Sequence, residues 1–153
     1  MPKLEFFLVC RSVQTDIITN ETSFINVLED ITPEEFPYII QRAMSVSLWN
    51  FEPSEARDDY QAALVVRIPG KREARFPMNL SFYEHRCRAI QGILEIPIEG
   101  PCDVTFEVRL NGKHEALHTV NIHPKEIRAA VKGGEPMPTS SPERMKRLTK
   151  TQS

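Results

Sequence analysis

Histidine and cysteine are the residue types here that could hold a metal ion. His85 and Cys87 are separated by one residue, and His114, His118 and His123 are separated from one another by three and four. Structural zinc sites pair their ligands at similar spacings. In a regular strand, however, side chains alternate between two faces, so His123 would point away from His114 and His118. We therefore expect no metal site.

Cys87 is also a candidate nucleophile, because it lies between Arg86 and Arg88. Neighbouring cations favour the reactive thiolate. In a strand both arginines point to the face opposite Cys87, and no familiar hydrolase or zinc-protease motif is present. The adjacent acids of 34–35 and 58–59 lie in predicted loops, where carboxylates are solvated. We expect no catalytic residues, no cofactor and no enzymatic activity.

Five basic residues form a candidate binding patch over two predicted strands and a turn: Lys71, Arg72, Arg75, Arg86 and Arg88. Such a group could meet a phosphate or an acidic partner. The alternative is a charged sheet edge that prevents aggregation between sheets. Both interpretations stay open from the sequence.

Aromatic residues could provide a ligand platform. Trp49 and Phe51 share one face of a predicted strand, and Tyr60 and Tyr83 lie at predicted strand ends. Exposed rings of this kind stack on sugars or bases. In β-sandwiches a tryptophan more commonly packs in the core, and we predict that position for Trp49.

The elements that would position these residues are strands. Apolar and polar residues alternate with a period of two through most of the chain, which is typical of half-buried strands. Pro77 predicts an edge strand or a bulge, since proline cannot donate to a sheet ladder. One predicted strand alternates Ile90, Gly92, Leu94, Ile96 and Ile98 on a single face. The predicted strands are 3–12, 22–31, 39–51, 60–68, 73–82 and 88–98, followed by a hairpin.

The closing hairpin has the strongest local signal. Asn111-Gly112 provides the positive φ angles of a tight two-residue turn. On the returning strand Leu117 and Val120 have opposite parity, so both cannot face the core of a regular ladder. We predict a bulge near His118 or a longer loop at 111–115. Together the segments predict an all-β, antiparallel sandwich of about eight strands, immunoglobulin-like or C2-like in layout.

The last part of the chain differs in composition. We predict a sandwich domain at 1–124, and at 125–153 a short helix followed by a flexible basic tail. Residues 1–123 have 12 basic and 18 acidic side chains, whereas 124–153 have seven and three. The tail could contact nucleic acid, an acidic partner or the acidic body, or it could be a solvated end. Its candidate contact residues are Arg144, Lys146, Arg147 and Lys150.

Length and composition exclude several other classes of protein. The 153 residues suit one domain with a short tail, and 41% hydrophobic residues exclude a wholly disordered chain. Three cysteines form no disulfide framework, which is typical of a reducing compartment. No apolar run approaches the length of a membrane span. We expect a cytoplasmic protein that does not act at a membrane.

The order of segments resembles a known group. Pro2-Lys3-Leu4-Glu5-Phe6 leads to Cys10, a second strand ends in Asp30-Ile31, Phe36-Pro37 opens the next segment, and a closing hairpin runs from Val104 to Ile122. Over residues 2–123 this pattern resembles small bacterial β-sandwich proteins of an uncharacterised family, a domain of unknown function. The resemblance implies a sandwich fold and a bacterial cytosolic origin, and it implies no site residues.

Our functional prediction is a non-enzymatic interaction or accessory module. It would bind another macromolecule through sandwich edges, loops or the basic tail. We expect a protein partner, and nucleic acid would be contacted through the tail only. The alternative is a sandwich that binds a small molecule or carbohydrate through Trp49, Tyr60 and Tyr83. A homodimer through an exposed edge strand is compatible with either function.

Overall fold

The structure is a computed structural model that describes residues 1–54, 60–80 and 85–125. The predicted tail contacts Arg144, Lys146, Arg147 and Lys150, and also Tyr83, lie outside these described residues. Within them the chain forms nine strands and no α-helix. The strands are β1 (Lys3–Thr15), β2 (Thr22–Val27), β3 (Asp30–Ile31), β4 (Tyr38–Asn50), β5 (Ala62–Arg67), β6 (Ala74–Met78), β7 (Arg86–Ile98), β8 (Cys102–Leu110) and β9 (Lys113–Ile122).

Two sheets pack together and confirm the predicted β-sandwich. One sheet has four strands in the order β2-β1-β4-β7, and the other has five in the order β3-β9-β8-β5-β6. Every pairing is antiparallel except that of β3 with β9. As Pro77 predicted, β6 is an edge strand.

The predicted strand 22–31 divides between the two sheets. Leu28 N donates to the carbonyl of Val9 in the four-stranded sheet at 2.8 Å, and Asn121 N donates to the carbonyl of Glu29 at 2.8 Å in the five-stranded sheet. The chain therefore crosses from one sheet to the other at residues 28–29, which adds β3 as a separate strand.

Large side chains from both sheets fill the core between them. Trp49, as predicted, is completely buried there together with Phe106, Ile40 and Leu64. Its indole Nε1 donates a hydrogen bond to Ser47 Oγ at 2.9 Å. A buried tryptophan needs such a partner, because an unpaired N–H away from water is costly.

The closing hairpin contains an irregularity, as predicted, but it is a bulge at Glu115 rather than near His118, and the loop is not lengthened. Asn111 and Gly112 have φ angles of 50° and 78°, so the turn is tight. Val108 pairs with Ala116 while Arg109 pairs with His114, which leaves Glu115 as the extra residue of a bulge. The reason given from the sequence was wrong, because Leu117 is 52% exposed and does not face the core.

Strand β7 does not keep one apolar face, contrary to the prediction. Ile96 and Ile98 belong to the core, whereas Ile90 and Leu94 are 43% and 69% exposed. Glu95 lies between the two sets with a φ of 54°, in the left-handed region. This backbone change reverses the alternation, so Ile90 and Leu94 point out of the sandwich.

Candidate functional site

The outer face of the four-stranded sheet is apolar across three strands. Its side chains alternate along the strands with those that enter the core, and the pairing register aligns them in rows. Sheets that expose one face to water normally place polar residues there. We call this surface the apolar face; it consists of Phe6, Leu8 and Cys10 on β1, Met44, Val46 and Leu48 on β4, and Ile90 and Leu94 on β7.

The β1 side of the apolar face is well packed. Cys10 and Val46 have no exposed surface, although neither belongs to the core cluster between the sheets. The ring of Phe24 on β2 meets the ring of Phe6 edge to face, with centroids 5.7 Å apart. The sheet thus has a second layer of apolar packing on its outside.

The β7 side of the same face is open to solvent. Ile90 is 43% exposed and Leu94 is 69% exposed. Between them Gly92 leaves room for Met44, whose Sδ would lie 3.2 Å from a Cβ at that position. A flexible thioether beside exposed branched chains can adapt to a partner surface. Contiguous exposure of this kind marks interaction sites.

Arginines flank the apolar face. Arg42 pairs in register with Leu94, and Arg88 pairs with Leu48. Arg86 Nη2 donates to Glu5 Oε1 at 3.0 Å, so this guanidinium is already neutralised. The described residues offer no hydrogen bond or ion pair to Arg42 or Arg88. Within the described part of the chain, the rim therefore presents two positive charges without an ion-pair partner next to exposed apolar side chains.

The five residues of the predicted basic patch lie on two sheets and on one turn. Arg86 and Arg88 lie on the outer side of the four-stranded sheet, and Arg75 lies on the opposite sheet, where Nη2 is 3.4 Å from Glu73 Oε1. Lys71 and Arg72 lie in the turn between β5 and β6. Lys71 Nζ reaches the carbonyl of Pro97 on β7 at 3.4 Å, so the turn lies beside the edge of the four-stranded sheet. The interpretation of the five residues as one binding patch stays a prediction.

An ion cluster lies on the outer face of the five-stranded sheet, centred on Glu107. Its carboxylate accepts hydrogen bonds from Arg109 Nε at 2.8 Å and from Arg67 Nη1 at 2.5 Å, and His114 Nδ1 is 3.1 Å away. Arg109, then Arg67 and His114, hold the pKa of Glu107 at about 2 against the opposing effect of its burial. Such a weak base is a poor proton acceptor, so the Glu107 carboxylate is poorly suited to act as a general base.

A cleft lies beside this cluster. It has a volume of about 600 Å³. Its floor is low because Ala63, a small residue, pairs with Arg109 on one side and with Pro77 on the other. Arg75 and Tyr60 also line it, with Gln61, Asn79 and Gly112. Of the proposed aromatic platform, Tyr60 lies here and Trp49 does not, since it is in the core.

The bulge at Glu115 separates the histidines that resembled a ligand pair. His114 points outward to Glu107, whereas His118 points inward, where Nε2 donates to the carbonyl of Leu28. The described residues contain no group of three metal-ligating side chains. His114 and His118 therefore cannot bind one ion together, for a different reason from the one that the sequence offered.

None of the three cysteines forms a disulfide bond. Burial raises the pKa of the Cys10 and Cys102 thiols, so both are protonated near neutral pH. Cys87 is 5% exposed and pairs in register with Trp49. As expected for a strand, Arg86 and Arg88 point to the face opposite Cys87.

Comparisons with known proteins assign neither a family nor a function to this chain. No protein-family model matches the sequence, and no curated protein is significantly similar to it. The resemblance to small bacterial sandwich proteins thus stays a prediction. Among the described residues, no helix is long and apolar enough to span a membrane.

The apolar face was missed from the sequence, although a signal was present. Residues 44–49 alternate apolar side chains with Ser45 and Ser47, which predicts a buried apolar face and a wet serine face. Trp49 lies on the same face as the two serines. A tryptophan on that face could have indicated that the serine face enters the core and that the apolar face is the outer one.

Proposed function

We propose that this protein is a non-enzymatic module that binds another protein through the apolar face. The observation behind the proposal is the outward row of Ile90 and Leu94, 43% and 69% exposed, beside the outward side chains of β1 and β4. A non-enzymatic role is supported by the ion-paired state of Glu107 and by the burial of Cys10 and Cys87.

The charges around the face define the partner chemistry. Arg42 and Arg88 flank the exposed leucine and isoleucine and form no ion pair with a described residue. A partner that meets them would present apolar side chains at its centre and carboxylates at its rim. Such complementarity steers association and selects partners, while the apolar centre provides most of the affinity.

A second copy of this chain fits the face less well. A two-fold axis through the face would bring two arginine-rich rims together, and repulsion between like charges opposes that arrangement. We therefore assign the face to a different protein. We also propose that the interaction takes place in the cytoplasm. This proposal is supported by the lack of disulfide bonds among the three cysteines, which is typical of reducing compartments.

The test compares capture by matched variants. The double variant Ile90→Asp/Leu94→Asp places two carboxylates on the apolar face, whereas Leu117→Asp alters the outer face of the other sheet, where Leu117 is 52% exposed. Each purified full-length protein is used as bait in a native lysate, and circular dichroism checks that it is folded. We expect one partner to be retained by wild type and Leu117→Asp and lost by the double variant.

Two results would contradict the proposal. One is a partner that the double variant retains and Leu117→Asp loses. The other is capture that nuclease treatment abolishes and that all three proteins share, which would indicate nucleic acid bound elsewhere, as expected for the basic tail. Size-exclusion chromatography with light scattering shows whether the protein is a homodimer. If wild type were a dimer and the double variant a monomer, the apolar face would bind a second copy of this chain and not a different protein.

A further inference from the structure

The cleft beside the Glu107 cluster has side chains arranged for an anion. Pairing across three strands puts Pro77, Ala63 and Arg109 in one row and Arg75, Val65 and Glu107 in the next. Neighbouring strands lie about 4.8 Å apart, so the two arginines flank the cleft on strands separated by β5. The short Ala63 side chain between them leaves the space that a ligand would fill.

Both arginines keep unused donors. A guanidinium has five N–H groups. Arg109 directs Nε and Nη2 to Glu107, at 2.8 and 3.3 Å. Arg75 is 59% exposed and makes one long contact of 3.4 Å with Glu73. Several N–H groups of the pair therefore stay available for an oxyanion, which guanidinium binds with strong, directional hydrogen bonds.

Among the described residues of the Glu107 cluster and the cleft, the charge balance is positive. Three arginines, Arg67, Arg75 and Arg109, face two acids, Glu73 and Glu107. Since Arg109 and its neighbours keep Glu107 ionised, this balance holds at neutral pH. One excess positive charge suits a ligand with a single anionic group, rather than a polyanion such as nucleic acid.

The other walls suit a flat apolar group. Pro77 offers a rigid ring surface, and Tyr60, which is half-buried, provides an aromatic wall. The volume of about 600 Å³ accommodates one small ring bearing an anionic substituent.

We propose that this cleft binds a small molecule consisting of a carboxylate or phosphate joined to a flat ring, with Arg75 and Arg109 holding the anion. Arg109 also supports Glu107, so Arg75 is the group that can be changed without disturbing the cluster. The site is on the sheet opposite the apolar face and is independent of the proposed protein partner.

The test is an NMR titration of the full-length protein with four probes. Phenyl phosphate and benzoate supply ring and anion, inorganic phosphate supplies the anion alone, and benzyl alcohol supplies a neutral ring. The readouts are the side-chain Nε signals of Arg75 and Arg109 and the backbone amides around Ala63. Arg75→Gln removes one anchoring cation, and Arg88→Gln removes the same charge from the other sheet as the matched control.

We expect phenyl phosphate or benzoate to shift these signals in the millimolar range or below, and benzyl alcohol to leave them unchanged. The ring-bearing anion that binds more tightly shows whether the site prefers a phosphate or a carboxylate. Arg75→Gln should weaken binding roughly tenfold, and Arg88→Gln should not change it. The proposal is overturned if neither ring-bearing anion shifts the signals, if benzyl alcohol binds as well, if inorganic phosphate binds as tightly as phenyl phosphate, or if both variants weaken binding equally.

Discussion

Glu107 and Arg109 lie two residues apart on β8, and the arginine Nε donates to the Glu107 carboxylate at 2.8 Å. The two side chains share the outer face of the strand. Arg67 on β5 and His114 on β9 complete the cluster from both neighbouring strands. The cluster therefore joins three strands of the five-stranded sheet from outside, opposite the core that joins the two sheets from inside.

The Glu107 carboxylate should stabilise the fold in a pH-dependent way. Its pKa lies at about 2 in the folded protein, compared with an ordinary value of 4.5. A depressed pKa contributes stability above the ordinary value, and this contribution is lost as the pH falls through the folded pKa. We expect Glu107→Gln to lower the free energy of unfolding by about 2 kcal/mol at pH 7. The difference from wild type should shrink between pH 4.5 and 2.

Urea denaturation across this pH range measures the effect. Glu73→Gln is the control, because Glu73 lies on the same face and pairs with Arg67 and Arg75 while being 38% exposed. Exposed ion pairs contribute little, so we expect a change of about 0.5 kcal/mol or less. Equal losses for the two variants, or a Glu107→Gln effect that does not vary with pH, would contradict the central role of Glu107.

The hydrogen bond from Trp49 to Ser47 should stabilise the core. Both residues are completely buried, and Ser47 Oγ is the acceptor at 2.9 Å. Ser47→Ala leaves the indole N–H without this partner, and we expect a loss of about 1–3 kcal/mol in chemical denaturation. Ser45→Ala is the control, since Ser45 is equally buried but donates over 3.4 Å to the carbonyl of Gln91. A larger loss for Ser45→Ala would show that the indole contact is unimportant.

The bulge at Glu115 should tolerate deletion. Arg109 pairs with His114 and Val108 pairs with Ala116, so removing Glu115 restores a regular ladder with every other side chain on its present face. Deletion of Thr119 instead turns the side chains on one side of the deletion to the opposite face of the sheet. Either the core residue Val120 or the residues before Thr119 would then point the wrong way. We expect the first variant to fold and the second to be insoluble or unfolded, as measured by circular dichroism and thermal melting. The opposite order would refute the register.

The strands and the closing turn were predictable because their signals are local. Period-two alternation depends on the strand itself, Pro77 argues against a central strand, and the residue types of Asn111-Gly112 favour the positive φ angles of their turn. Trp49 was also placed correctly, because a large ring gains most from a core position.

The orientation of β4 and β7 was not predictable from alternation. Both faces of β4 contain apolar residues, so its pattern does not say which face enters the core. In β7 the left-handed backbone at Glu95 reverses the faces, and no glycine marks that position. The site at Glu107 depends on Arg67, which lies 40 residues away in the chain, and on the bulge that turns His114 outward.

Side-chain footprinting of the captured complex tests the apolar face most directly. Hydroxyl radicals oxidise exposed aliphatic side chains, and Leu94 and Leu117 report on opposite sheets with exposures of 69% and 52%. Mass spectrometry then compares oxidation at both positions in the free protein and in the complex. We expect partner binding to protect Leu94 and Ile90 and to leave Leu117 unchanged. Protection of Leu117 with undiminished oxidation of Leu94 would show that the partner binds the other sheet and would contradict the proposed function.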